Sequence, residues 1–362
     1  MTSSSASAPR APSGPFLSVV ISAWDRREFL RPAVESVLAS DPPGADFEVI
    51  VIKNFADPDL DAELDRCRVR REIGRDASVG ASVARALEAA TGEVVCFLDD
   101  DDEFEPAKLA RIAALFRADP TLVLVRNGYR PIDAEGRSLA HWPICDWPAV
   151  APARAITLRT AREKRQSRVL PMYNLSTLSV RRAALLPFAS TMREIAAGTD
   201  SLVFLAALST GGGVRVDPDP LTRHRIHGSA SMEIFRDVGV APPSSPDYLR
   251  RSLAALEGQA RMVEGTPAEA WARWLVLITR FDAYLSRPEF APPSGRDYFE
   301  FARGAIRERQ RFRAPPLGFA AARRLFPRSA YAAWWAFRRH QHRVDAGRVE
   351  MPEVFARRDE RA

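Results

Sequence analysis

Short apolar segments alternate with amphipathic segments of helical periodicity between residues 16 and 127. The apolar segments are rich in β-branched residues and too short for helices, so they predict buried strands. The predicted strands are Phe16–Ser22, Asp46–Ile52, Glu93–Leu98 and Thr121–Asn127. The predicted helices cover residues 27–40, 59–67, 78–90 and 105–119. This alternation predicts an α/β fold with a doubly wound, mostly parallel sheet and helices on both of its faces.

The later part of the chain predicts a change of architecture. Residues 128–170 are irregular and predict loops, while 173–232 predict a strand and two helices followed by two short strands and a polar loop. The expected domain bounds are an α/β domain at 16–239, a Pro/Ser-rich linker at 240–247 and a helical region at 248–345, with helices near 248–264, 267–286, 296–313 and 328–344. The Ser/Ala/Pro-rich residues 1–15 predict a disordered tail rather than a signal peptide, and residues 346–362 predict a second tail.

Composition narrows the class of protein. Hydrophobic residues make up 46% of the chain, which is enough for a sizeable core, and no apolar run reaches the roughly 20 residues of a transmembrane helix. The three cysteines fit neither a disulfide framework nor a zinc site, so the sequence predicts a reducing, cytoplasmic environment. The net charge is +6, but arginine is frequent throughout, so basicity alone identifies no partner.

Four consecutive aspartates, Asp99 to Asp102, follow the predicted strand Glu93–Leu98. Ligands of open α/β sheets bind outside the carboxyl ends of the strands. Carboxylates crowded in a cleft repel one another unless a counterion is present, and their hard oxygens suit Mg²⁺ or Mn²⁺. The alternative is a solvated acidic turn that caps the helix beginning near Pro106.

Several segments resemble family 2 glycosyltransferases of the GT-A fold. They are "SVVISAWDRREFLRPAVESVLAS", "FEVIVIKN", "EAATGEVVCFLDDDDEFEPAKL" and "GTDSLVFLAALSTGGGVRVDPDPLTRHRIHGSAS". Their motifs occur in the family's order across residues 16–232. The resemblance implies a GT-A type doubly wound sheet and a nucleotide-diphosphate-sugar donor. It implies that Asp99 lies near the ribose, that Asp100 is at a variable position of the donor site and that Asp101 is the principal ligand of Mn²⁺ or Mg²⁺. Asp102 would support this site or cap the next helix.

The resemblance also implies the residues that act on the reacting groups. Asp200 matches the catalytic base of an inverting transfer, with an N-cap as the alternative. Thr199 stands where the family usually has Glu. Arg225 and His227 match an Arg-x-His motif that would face the leaving diphosphate, and His227 could instead bind the metal. An ordinary surface strand is the alternative for this pair.

Further donor-binding residues follow from the same resemblance. Ser22 ends the first predicted strand, and Trp24 and Arg26 occupy the turn after it, at a motif that contains an aromatic residue and Arg. Asn54 stands where the family often has an Asp that reads the nucleobase, so the base stays open. Arg85 stands where the family frequently has Asn. The Gln-x-x-Arg-Trp motif of processive members is absent, which favours transfer of a single sugar.

The C-terminal region is basic and aromatic. Residues 303–343 contain eleven Arg and one acid, with Trp, Phe and Tyr interleaved. This composition is typical of an interfacial helix on an anionic membrane and would suit a lipid-linked or glycan acceptor. The alternative is a helical region that packs its aromatic residues on the α/β domain. Arg-rich aromatic segments also bind single-stranded nucleic acid, but no RNA-binding motif is present and no nucleic-acid partner is expected.

The sequence therefore predicts a metal-dependent inverting glycosyltransferase of glycan or glycolipid synthesis for the cell envelope. Its expected location is the cytoplasm, with peripheral contact to the inner face of the cell membrane left open. Two alternatives remain. One is a sugar nucleotidyltransferase, although "SAWDRREF" lacks the Gly-rich loop that such an enzyme needs. The other is a basic nucleic-acid-binding or membrane-binding protein on a non-catalytic GT-A scaffold.

Overall fold

The computed structural model describes residues 16–24, 26–40, 47–74, 78–139, 155–159, 174–227, 246–287, 289–307 and 315–325. These residues form a nine-stranded mixed sheet flanked by helices. The strands are β1 Leu17–Ala23, β2 Phe47–Lys53, β3 Arg70–Ile73, β4 Val94–Asp99, β5 Glu103–Phe104, β6 Leu122–Ile132, β7 Ile156–Leu158, β8 Leu178–Arg181 and β9 Gly213–Arg225.

The sheet order is β3-β2-β1-β4-β8-β6-β9-β5, with β7 beside β9. Strands β3, β2, β1 and β4 are parallel, whereas β8 runs antiparallel between β4 and β6. Strands β6 and β9 are parallel to each other, and β5 and β7 run antiparallel to β9. The predicted α/β class is confirmed, and the sheet is mixed because β8, β5 and β7 oppose their neighbours.

Helices cover both faces of the sheet. They are α1 Leu30–Leu38, α2 Pro58–Arg66, α3 Val79–Ala89, α4 Lys108–Ala118, α5 Arg182–Leu185, α6 Ala189–Met192, α7 Thr199–Ser209, α8 Pro246–Met262, α9 Glu269–Ser286, α10 Gly295–Arg307 and α11 Pro315–Leu325. Val19 and Ile21 of β1 join the core beneath α1, α2 and α4, while Val20 joins the core beneath α3 and α7. The two cores follow from the period of two along a strand.

Several boundaries differ from the prediction because of pairing far along the chain. Helix α4 begins at Lys108 rather than at residue 105, because Glu103 and Phe104 pair with β9 as β5. Strand β9 is one strand of 13 residues rather than two short strands. Strand β6 continues to Ile132, with register shifts against β9 that accommodate the irregular stretch around Gly128.

The described C-terminal helices pack against the α/β domain. Trp271 of α9 meets the ring of Phe204 on α7 edge-on, at 5.7 Å between centroids. Trp274 and Phe301 lie in a second cluster, with centroids 4.7 Å apart. The predicted helix at 328–344, both predicted tails and residues 240–245 of the predicted linker lie outside the described residues. Within the described ranges, no helix is long and apolar enough to span a membrane.

Candidate functional site

An open cleft of about 750 Å³ lies at the carboxyl ends of β1, β2 and β4. Six predicted site residues line it: Ser22, Trp24, Arg26, Asn54, Asp99 and Asp100. They converge because the parallel register sets Ser22 beside both Ile52 and Asp99. Helix α3 adds a wall formed by Val79, Ser82, Val83 and Ala86, whereas Arg85 on the same helix is not among the lining residues. Thr199, at the start of α7, also lines the cleft.

The aspartates form a compact oxygen cluster. One carboxylate oxygen from each of Asp99, Asp101 and Asp102 lies within 4.8 Å of the others. Burial and then the neighbouring carboxylates raise the pKa of Asp99 well above its ordinary value. Burial raises the pKa of Asp100 to about 7, against the opposing charge of Arg26. The carboxylates repel one another when no counterion is present. Their three hard oxygen donors fit the coordination chemistry of Mg²⁺ or Mn²⁺.

Arg26 reaches from the turn after β1 to two of these carboxylates. Its Nη1 lies 2.5 Å from Oδ2 of Asp101, and its Nη2 pairs with Oδ1 of Asp100. The side chain of Arg26 is 27% exposed and faces the cleft. The guanidinium therefore supplies positive charge to the aspartates while remaining accessible to a ligand in the cleft.

His227 joins the cluster from the end of β9. Its Nε2 lies 3.1 Å from Oδ2 of Asp101. The imidazole is 5% exposed and packs against the ring of Phe29 at 4.7 Å between centroids. The structure thus brings His227 to the predicted metal ligand, where a ring nitrogen can serve as a further ligand.

Asp102 is held by groups behind the cluster. Its Oδ1 accepts from the backbone N–H of Arg225 and lies 2.9 Å from Nδ1 of His224, and its Oδ2 accepts from Asn174. Burial favours a higher pKa for Asp102, but the charge and hydrogen bond of His224 outweigh it and lower the pKa. Asp102 therefore fixes the aspartate loop against β9 and the segment before β8.

Arg225 does not present its guanidinium to the cleft. The side chain is 2% exposed, and Nε donates to the carbonyl of Asp101 at 2.8 Å. Nη1 donates to the carbonyls of Asp133 and Ala134, and Nη2 pairs with Glu103. A diphosphate contact would require these bonds to break, so the geometry favours a role for Arg225 in holding the backbone of Asp101.

Asp200 lies in the first turn of α7, directly after the cleft residue Thr199. Its Oδ1 accepts from the N–H of Ser201 at 2.8 Å. Burial raises the pKa of Asp200 above its ordinary value, although backbone hydrogen bonds oppose the shift. Gly198 begins the helix with φ of +74°, a conformation that favours glycine. The aspartate is thus held at the helix terminus with a fixed backbone.

Comparison with known proteins identifies the domain that carries this site. Residues 18–185 match the model of the family described as glycosyl transferase family 2. They form a family 2 glycosyltransferase domain. The domain contains the turn after β1, Asn54 and all four aspartates, whereas Asp200 and His227 lie beyond the matched range.

Curated relatives of the family 2 domain resemble parts of the chain. It is 31% identical over 117 residues to the uncharacterized glycosyltransferase alr2836 of Nostoc sp., covering 31% of this chain and 36% of that protein. It is 29% identical to an uncharacterized glycosyltransferase of Rickettsia bellii, covering 34% of this chain and 18% of that protein. The chain therefore matches well under two thirds of the length of these two relatives. It is 25% identical to the succinoglycan biosynthesis protein ExoO of Rhizobium meliloti, covering 69% of this chain and 72% of that protein.

Solved structures share the fold of the family 2 domain and its C-terminal helices. S. aureus TarS 1-349 in complex with UDP superposes with a TM-score of 0.54 at 15% identity, over 90% of this chain and 91% of that chain. The same protein in complex with UDP-GlcNAc gives 0.53 at 17% identity, with the same coverage. The predicted GT-A fold followed by a helical C-terminal region is thereby confirmed.

The family 2 domain also contains a buried lysine that the sequence prediction did not place at the site. Lys108 of α4 donates to the carbonyl of Ser176 at 2.5 Å and to Oγ1 of Thr222 at 3.0 Å. Its Nζ lies 3.8 Å from the centroid of the Phe104 ring. Burial lowers the pKa of Lys108 to about 7. Lys108 is one of three lysines in a chain whose other basic side chains are nearly all arginine, and this rarity is the signal that could have drawn attention to it.

Proposed function

We propose that the protein transfers a single sugar, with inversion, from a nucleotide-diphosphate sugar to an acceptor hydroxyl, with Mn²⁺ or Mg²⁺ as cofactor. The observation that carries this proposal is the meeting of three features at one edge of the sheet. The first feature is the cleft at the strand ends, which Thr199 helps to line. The second is the oxygen cluster of Asp99, Asp101 and Asp102. The third is Asp200, which directly follows Thr199 at the start of α7. Donor, metal and base each have a place in this arrangement.

A UDP-sugar is the first candidate for the donor. The likeness in fold to S. aureus TarS, which was solved in complex with UDP and with UDP-GlcNAc, supports this choice. Asn54 lines the cleft and can both donate to and accept from a base edge. Lys53 also borders the cleft, but its Nζ pairs with Asp61 and its side chain is fully buried. Trp24 adds an indole that is 45% exposed on the cleft, where it can stack on a ligand ring.

The metal would be held by oxygen atoms of Asp101 and Asp99 or Asp102, with His227 as an additional donor. When bound, a divalent cation neutralises the charge of a diphosphate and stabilises it as a leaving group. Arg26 lines the cleft beside the aspartates and contributes a guanidinium that can pair with phosphate oxygens. We assign Arg225 to holding the carbonyl of Asp101, and we assign Arg26 to pairing with the leaving diphosphate.

Asp200 serves as the general base. An inverting transfer needs one carboxylate that takes the proton of the acceptor hydroxyl. Burial raises the pKa of Asp200, and a higher pKa makes its carboxylate a stronger base. Backbone hydrogen bonds, among them those from Ser201 and Asn174, fix the position of the carboxylate.

We propose a glycan or glycolipid of the cell envelope as acceptor, supported by the likeness to a succinoglycan biosynthesis protein. Peripheral membrane contact through residues 303–343 stays a prediction, because most of that segment lies outside the described residues. Its test is flotation with anionic and with neutral liposomes. Binding that requires anionic lipid supports the contact, and no binding to either vesicle contradicts it.

The donor proposal is tested by thermal unfolding with UDP, GDP, dTDP and CMP, each with and without Mn²⁺. A nucleotide at 100 times its Kd stabilises the folded state by about 2.7 kcal/mol. The expected result is stabilisation by one nucleotide diphosphate that requires Mn²⁺ and is lost in Asp101→Asn. No stabilisation by any nucleotide would contradict the donor site, and stabilisation that persists in Asp101→Asn would contradict the metal assignment.

A further inference from the structure

The segment that leads into Asp200 is held between two helices from distant parts of the chain. We call residues 193–199 the base loop. Helix α3 contacts it from the family 2 domain, and helix α8 contacts it from the C-terminal region. Because α3 also forms a wall of the cleft, the base loop ties the position of Asp200 to both the donor cleft and the C-terminal helices.

The helix α3 segment contacts the backbone carbonyls of the base loop. Oγ of Ser78 donates to the carbonyl of Arg193 at 2.9 Å, and the N–H of Gly80 donates to the carbonyl of Ile195 at 3.1 Å. A Cβ at Gly80 would lie 1.9 Å from the carbonyl oxygen of Met192, so only glycine permits this approach. The start of the base loop is therefore fixed against the wall of the cleft.

The contact with α8 is made by Gln259. This residue is fully buried, and its Nε2 donates to the carbonyls of Ala197 and Gly198 at 3.1 Å each. A Cβ at the neighbouring Gly258 would lie 2.9 Å from Cδ1 of Ile195, which shows how closely α8 approaches. One amide thus ties together two successive carbonyls at the left-handed turn that starts α7.

We propose that Gln259 is a positioning residue for Asp200, and that helix α8 completes the catalytic site. The proposal rests on the role of Asp200 as base under the proposed function. The carbonyl of Gly198 also accepts from the N–H of Leu202, the first bond of α7, so a shift of this peptide moves the start of the helix that bears Asp200. Helix α8 lies beyond the range matched by the family model, and no local pattern of residues indicates this contact.

The test variant is Gln259→Met, which removes the amide donor and keeps the length of the side chain. Small displacements of a reacting group lower rates steeply, so we expect kcat to fall by about 10- to 100-fold. The KM for donor and the Kd for UDP with Mn²⁺ should stay within about twofold of wild type, because no cleft residue is changed. The concentration of active sites is measured by the stoichiometry of nucleotide binding and is used to calculate kcat. Misfolded protein therefore does not lower the measured kcat.

Glu257→Gln is the matched control on the same helix. It weakens the ion pair of Glu257 with Arg280, whose atoms lie 2.7 Å apart, without touching the base loop. We expect this variant to keep the wild-type kcat even where its Tm is lower. A loss of kcat in the control equal to that of Gln259→Met would show that general loosening of α8 explains the effect, and would overturn the proposal.

Gln259→Glu provides a second readout that does not depend on the yield of the first variant. A carboxylate facing two carbonyls repels them, whereas a protonated carboxyl can donate to one of them. The ratio of its kcat to that of wild type should therefore rise as pH falls. A ratio independent of pH, together with an unchanged kcat in Gln259→Met, would overturn the positioning role and leave Gln259 as a packing residue.

Failure of this inference is distinguishable from failure of the proposed function. If Asp200→Asn loses transfer but Gln259→Met does not, the base assignment stands and the positioning role fails. If Asp200→Asn retains transfer, the base assignment fails, and the positioning role fails with it.

Discussion

Arg26 and His227 approach the same carboxylate oxygen of Asp101. Nη1 of Arg26 lies 2.5 Å from Oδ2, and Nε2 of His227 lies 3.1 Å from the same atom, although the two residues are far apart along the chain. A guanidinium and a divalent cation compete for such an oxygen because each requires its negative charge. Arg26 is therefore a counterion of the aspartates in the structure, and it also lines the cleft.

This relationship predicts that Arg26→Gln binds Mn²⁺ more tightly than wild type when no nucleotide is present. The variant removes a positive charge that competes with the metal, and the affinity for UDP should fall because a phosphate partner is lost. Electron paramagnetic resonance of free Mn²⁺ measures the first effect, and thermal unfolding with UDP measures the second.

Arg27→Gln is the control for Arg26→Gln. Arg27 is exposed and lies over the ring of Phe55 at 5.1 Å, so the same charge is removed one residue away from the aspartate contact. Equal changes in Mn²⁺ affinity for the two variants would show a general effect of charge and not displacement at Asp101.

Trp24→Ala is expected to weaken nucleotide binding. Trp24 is 45% exposed at the cleft, and stacking of a base on an aromatic ring contributes about 1–3 kcal/mol. Trp24→Phe should keep most of this contribution. Phe299→Ala removes another exposed aromatic side chain, one on α10 that is 67% exposed, and should leave the Kd for UDP unchanged. Calorimetric titration with UDP and Mn²⁺ measures all three, and wild-type affinity in Trp24→Ala would contradict the stacking role.

The proposed role of Asp200 as general base predicts that its ionisation sets the acid limb of the pH–rate profile. A general base must be ionised, so kcat should fall as pH drops through the pKa of Asp200. Burial raises that pKa, so the limb should lie above the ordinary value for aspartate of about 3.9. Asp200→Asn should lower kcat by about 10²- to 10⁴-fold with UDP binding intact. Substantial activity in the variant, with the same acid limb, would assign the limb to another group.

Lys108 predicts a dependence of stability on pH. Burial lowers its pKa to about 7 in the folded protein, whereas the unfolded chain has the ordinary value of about 10.4. Between these values the unfolded state binds the extra proton, so stability should rise with pH; below about pH 7 the cost of the buried cation is fully present. Lys108→Met should flatten this slope. Urea unfolding of both proteins at pH 7, 8 and 9 checks it, and parallel slopes would contradict the buried titration.

Trp271 predicts that the C-terminal helices and the α/β domain unfold together. Trp271 is 3% exposed and meets Phe204 edge-on, so Trp271→Ala should cost about 3–5 kcal/mol. The loss should lower one cooperative transition in urea. Trp274→Ala is the variant with which Trp271→Ala is compared, because Trp274 packs on Phe301 within the C-terminal helices and not on the α/β domain. Two separate transitions, with that of the α/β domain unchanged by Trp271→Ala, would show that the C-terminal helices fold independently.

Local patterns in the sequence determined the parallel half of the sheet and one side of the site. The apolar runs of β1, β2 and β4 are recognisable by their length and branching, and parallel strands bring their carboxyl ends to one edge. This pattern placed the four aspartates at a ligand-binding edge of the sheet, and the resemblance to family 2 glycosyltransferases added Trp24 and Asn54 to the same site. The position of Asp200 at a helix start was likewise readable from the chain.

Tertiary structure alone decided the second half of the sheet and the surroundings of the site. Strand β8 is inserted antiparallel between β4 and β6, and this pairing depends on partners more than 50 positions apart, which no local period encodes. The resemblance predicted that Arg225 would face the leaving diphosphate. In the structure its guanidinium instead donates hydrogen bonds to the carbonyls of Asp101, Asp133 and Ala134. In the sequence, nothing distinguishes Gln259 from other polar residues of a helix. Its hydrogen bond to the base loop exists only because α8 packs there in the folded protein. Burial and hydrogen-bond partners belong to the folded chain, and they decide which polar side chains face the cleft and which ones hold it in shape.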